Sequence, residues 1–141
     1  MKLLQMNNPK VAFFTTYRGV HTDVQNFVTH KWVSELFKKQ GVPHVQVVLN
    51  NKGKKFSGYM VDIEDPNTEE LVKNICITNG QKNYVVSNND RTDTRLVYVD
   101  SGSSIRVGTL QMLPNFVASR CKASIELPNN KHSFVITNLE R

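Results

Sequence analysis

Four histidines, two cysteines and one tight group of carboxylates are the residues here with the widest chemical reach. His21, His30, His44 and His132 do not pair with a cysteine or carboxylate at the spacings that metal ligands use. His132 follows Cys121 by eleven residues, an interval with no geometric meaning. No metal and no cofactor are therefore expected. Cys121 as a nucleophile would need a nearby base and an electropositive niche. It sits within RCKASIEL, whose pattern reads as a strand, so a buried structural cysteine is the expectation. Asp62, Glu64 and Asp65 could hold a cation or act as an acid/base pair, yet they equally form the polar cap of a following helix. Gly80, Gly102 and Gly108 stand alone, so no glycine-rich loop cradles phosphate. The sequence gives no basis for an enzyme.

The elements that position these residues are a mixture of strands and helices. VAFF (11–14) reads as a short strand. Over 22–40, Val24, Phe27, Val28, Lys31, Trp32, Glu35, Leu36 and Lys39 recur at three- and four-residue steps, the signature of one helix face. Trp32 is expected in the core. Gly41 and Pro43 end that helix. HVQVVLN (44–50) and FSGYMVDI (56–63) read as a hairpin around NNKGK. Asp65 and Pro66 start a helix over about 66–73. Downstream, a meander is predicted, with strands at 75–78, 84–87, 95–100, 105–107 and 120–127. Residues 110–116 read as irregular or a single helical turn, and 134–136 as a further strand. Short strands with tight turns favour a small barrel.

The chain has 141 residues, the size of one domain, and 39% of them are hydrophobic, spread evenly enough to build a core. No run is long enough for a membrane span, the start lacks the apolar stretch of a signal peptide, and no glycosylation sequon occurs. A reducing, cytoplasmic compartment is expected. The formal charge of +6 favours acidic or nucleic-acid partners. Its carriers look scattered: Lys38 and Lys39; Lys52, Lys54 and Lys55; Arg91, Arg95 and Arg106. A nucleic-acid reader would want a basic stripe interleaved with exposed aromatics.

Residues 74–127 carry ICIT (75–78), NYVV (83–86), LVYVDSGS (96–103), IRV (105–107), LQMLPNF (110–116) and RCKASI (120–125). In order and spacing they resemble the core of a Tudor domain. The hairpin and helix before them resemble part of the nuclease-like lobe of the extended Tudor form. That resemblance implies an α+β fold, with a five-stranded Tudor-type barrel, an adjoining β-lobe and two helices. It divides the chain into an N-terminal segment with one helix (1–43), a partial lobe (44–73), and the core with a C-terminal strand (74–141).

Extended Tudor domains bind arginine-containing peptides, often methylated, as scaffolds of small-RNA and germline granules. The resemblance implies a non-enzymatic interaction module, with a peptide of an Argonaute- or PIWI-type protein as partner. Its peptide-binding pocket would use Tyr84, Tyr98, Asn79, Ser101 and Ser103. Tyr84 and Tyr98 match aromatic walls that accept a guanidinium by cation–π contact. Asn79, Ser101 and Ser103 stand where the family has two further aromatics and an orienting amide. Methylation should then matter little, and the hydroxyls suit an unmodified guanidinium. Two alternatives stay open: a single-stranded RNA-binding module, and a structural or oligomerisation domain in which the 22–40 helix meets a second copy. Such a domain is expected to be a piece of a longer scaffold located in ribonucleoprotein granules.

Overall fold

The structure, a computed structural model, describes residues 8–129 and 131–137. Eight antiparallel strands close into one barrel: β1 (Val11–Phe14), β2 (His44–Asn51), β3 (Lys54–Asp62), β4 (Asn83–Ser87), β5 (Thr94–Tyr98), β6 (Ser104–Pro114), β7 (Ala123–Glu126) and β8 (His132–Thr137). Around the barrel they run β1-β3-β2-β7-β8-β6-β5-β4, and β4 pairs with β1 to close it. The α+β class and the barrel are as expected; the strand number is eight where five were predicted. The hairpin assigned to a separate lobe, β2 and β3, lies in the same closed sheet as β4 to β8.

Closure gives the barrel two apolar faces. Inward-facing Val11, Phe13, Val47, Met60, Leu110, Leu127 and Phe134 fill the lumen, with the Phe13 and Phe134 rings edge to face at 6.0 Å. The alternate residues Ala12, Phe14, Tyr59, Val61, Tyr84 and Val86 point outward, under a layer of helices. This is why all four residues of VAFF are buried: each face of that strand is covered.

The helices are α1 (Asp23–Gln40), α2 (Pro66–Thr78) and a single turn, α3 (Asn115–Ala118). At the start of α1, Thr22 and Gln25 form a reciprocal capping box, and Gly41 ends the helix at φ +68°. Asp65 caps α2, its side chain accepting from the Asn67 amide at 2.9 Å, and Pro66 occupies the first helical turn. Acidic cap chemistry at Asp65 thus absorbs part of the carboxylate group noted above.

Four local expectations are corrected. Residues 75–78 are the last turn of α2 rather than a strand, because Val72, Ile75 and Cys76 continue the helical spacing onto the outer core. Residues 110–114 extend β6, and only 115–118 make a helical turn. Trp32 is 55% exposed rather than buried, and Cys121 is exposed as well. The helix turns Asn26, His30, Val33, Ser34 and Phe37 to the barrel instead.

Candidate nucleic-acid interface

The five residues assigned to a peptide pocket do not come together. Tyr84 lies opposite Val97, and Tyr98 lies opposite Asn83, so the two tyrosines project from opposite faces of the β4–β5 pair. Tyr84 is 3% exposed and donates its hydroxyl to Glu69 Oε2 at 3.1 Å. Burial, then the Glu69 carboxylate, pushes the phenol above its ordinary range. Asn79 ends α2, donating from Nδ2 to the Ile75 carbonyl at 2.8 Å. Ser101 and Ser103 do meet, Oγ to Oγ at 2.7 Å, inside the turn that joins β5 to β6. Tyr84 instead faces a cleft of about 270 Å³ shared with Glu69, Glu70, Lys73 and Gly102. No pair of rings there could sandwich a guanidinium.

The feature that does assemble is a basic wall on the other side of the barrel. Helices α1 and α2 cover the outside of β1, β3 and β4, and the strand order sets β7 and β8 across the barrel from these. On the outer face there, Asn50 lies opposite Ser124 on one side and Lys55 on the other, and Glu126 lies opposite Ser133. With Asn115 and Ser119 of α3 they line an open cleft of about 330 Å³. Its walls offer donors and acceptors in fixed positions. Asn50 donates to Glu126 Oε2 at 3.0 Å, Lys55 pairs with the same carboxylate oxygen at 3.1 Å, and Ser133 donates to Asn115 Oδ1 at 2.7 Å.

Local structure concentrates charge around this cleft. The β2–β3 turn, tight because Lys52 and Gly53 both take positive φ, exposes Lys52, Lys54 and Lys55. The Lys52 amide donates to the Lys122 carbonyl at 2.7 Å, joining that turn to the segment bearing Arg120 and Lys122. The Asn115 amide donates to the Lys131 carbonyl at 2.9 Å, bringing in a third segment. All six cations are exposed, and Glu126 is the only carboxylate in these segments. Lys55 lines the cleft and the other five cations sit on the segments that border it, a net charge of +5 with Glu126. Next to Asn115, the Phe116 ring stands 72% exposed.

Sequence reasoning named Lys52, Lys54 and Lys55 but missed their convergence with Arg120, Lys122 and Lys131. The available signal was that 115–133 holds three Lys or Arg and one acid beside an aromatic. Among the described residues no three His, Cys, Asp or Glu side chains are grouped to hold a metal ion. No helix among them is long and apolar enough to cross a membrane. The fold and site define a closed antiparallel barrel with helices on one wall and a cationic, polar cleft on another. Compared with protein-family models and with curated proteins, the chain matches none.

Proposed function

We propose that this chain is a non-enzymatic binding module for single-stranded nucleic acid, which it grips along the β2–β7–β8 wall. The observation that carries the reading is that three segments joined by backbone hydrogen bonds bear six exposed cations beside one polar cleft, with Lys55 in its wall. A strand of nucleic acid matches each part of that surface. Its phosphates meet Lys52, Lys54, Lys122 and their neighbours, its base edges meet the asparagine and serine groups of the cleft, and a base stacks on Phe116. Single strands are favoured over duplex because an exposed ring is of use only where bases are free to unstack.

The arginine-peptide scaffold implied by the Tudor-like motifs is the second reading, and with it the granule setting. It rests on the resemblance of 74–127 alone, since its two aromatic walls are on opposite faces of the sheet.

Fluorescence anisotropy with a labelled oligouridine tests the proposal. The Lys54→Glu/Lys122→Glu double variant should weaken binding at least about tenfold, and Phe116→Ala should weaken it by roughly 5- to 100-fold. Unchanged affinity in both, with circular dichroism confirming folded protein, would refute it.

A further inference from the structure

Helix α1 is built inside out. Its barrel-facing stripe is half polar, with Asn26, His30 and Ser34 buried. Asn26 is occupied in holding the preceding turn, donating to the Arg18 carbonyl and accepting from the Arg18 amide. The outward stripe, which an ordinary amphipathic helix would make polar, carries Val24, Phe27, Val28 and Trp32, continued by Val20 just before the helix. These five are each between 55% and 77% exposed. Val24, Phe27, Val28 and Trp32, spaced three, one and four residues apart, share one face of the helix with exposed Lys31 and Glu35, and Val20 lies in the turn before it.

We propose that this stripe is a self-association face, on which α1 of one molecule packs antiparallel against α1 of a second copy. Area is the first argument. The five side chains expose roughly 600 Å² together, the upper end for the largest apolar patch on an ordinary monomer. Two such faces hold at most about 1,200 Å² between them, the lower end of specific, stable interfaces. A second copy therefore reaches that range when the helix and the turn before it pack together.

Charge is the second argument. The apolar residues crowd the first two-thirds of the helix, so a two-fold axis between Phe27 and Val28 gives the greatest overlap. That axis sets Val24 of one copy beside Trp32 of the other. It also brings exposed Lys31 of one copy within one position of Asp23 of the other, an oppositely charged pair along the seam. A parallel pairing would instead set Lys31 against Lys31 and Glu35 against Glu35. The antiparallel sense opposes the two helix dipoles as well.

Light scattering on the full chain, from low micromolar to a few hundred micromolar and without nucleic acid, tests this independently of the function proposed above. A shift from the monomer mass to twice that mass is expected, saturating at the dimer. Val28→Asp should keep the protein monomeric throughout. If Val28→Asp misfolds, Trp32→Gln, at a solvent-facing position, serves the same purpose. Lys31→Glu should weaken the dimer at least about fivefold, and Lys31→Glu with Asp23→Lys should restore it. A wild-type chain that stays monomeric at every concentration would overturn the proposal. So would open-ended growth beyond two copies, or a charge swap that fails to rescue.

Discussion

His30 sits where helical spacing would ordinarily place an aliphatic side chain. It is buried, and its ring stacks on Tyr59 at 4.5 Å, with the Tyr17 ring edge-on at 6.0 Å. The Tyr59 hydroxyl donates to the His30 carbonyl at 2.6 Å. Burial raises the Tyr59 phenol to about 12, so it stays a donor at any physiological pH. The same burial holds the His30 imidazole below its ordinary range, partly offset by a hydrogen bond with Gln46. A histidine that resists protonation when folded gives the unfolded chain the advantage in acid. Its contribution is intact above the ordinary imidazole range and is lost as pH falls through about 6.5 and below. The melting temperature should therefore drop between pH 7.5 and 5.5, and His30→Phe, which keeps the stacked ring, should flatten that slope. An unaltered slope in the variant would mean that some other group sets the acid sensitivity.

At the scale of elements, what could be read from the sequence was what local chemistry dictates. The stop of α1 at Gly41, the turn at Gly53 and the helix start at Asp65 are short-range signals, and the structure has each of them. What could not be read was which way an element faces. The apolar periodicity of α1 is real, but what the helix meets is the rings of Tyr17 and Tyr59, on which His30 packs, and the Arg18 backbone, which Asn26 bonds, so it turns its histidine and asparagine inward. The last turn of α2 was misread because Ile75, Ile77 and Thr78 are β-branched, and the packing of Ile75 and Cys76 overrides that preference. This misreading carried Asn79 into a pocket it does not line. The facing of α1 has a direct energetic consequence. Phe37 is fully buried against Phe14 and Tyr59, so Phe37→Ala should cost about 3–5 kcal/mol. Trp32→Ala, at a larger but solvent-facing side chain, should change stability by no more than about 0.5 kcal/mol in dilute protein. Urea unfolding of the two variants would reverse that order if the helix faced the other way.

For the molecule as a whole, closure of the sheet settles more than the individual strands do. Strand positions were largely visible in the sequence, whereas pairing β1 with β4, and β2 with β7, joins residues far apart in the chain and leaves no local mark. That same closure carries the β2–β3 turn to the segments around Arg120 and Lys131, turning charges that look scattered into one field. A field of five net charges makes a quantitative demand on nucleic-acid binding. With up to five phosphates neutralised on a single strand, the logarithm of the affinity should fall against the logarithm of salt with a slope of about −3 to −4. Lys54→Ala/Lys122→Ala should reduce the steepness by about 1.4, whereas Lys38→Ala/Lys39→Ala, at the end of α1, should leave it unchanged. Phe116→Ala, which removes a stacking surface but no charge, should lower affinity at every salt concentration with the slope preserved. Anisotropy titrations across a salt series separate these effects. A slope that responds equally to the α1 lysines would place the binding field elsewhere on the barrel.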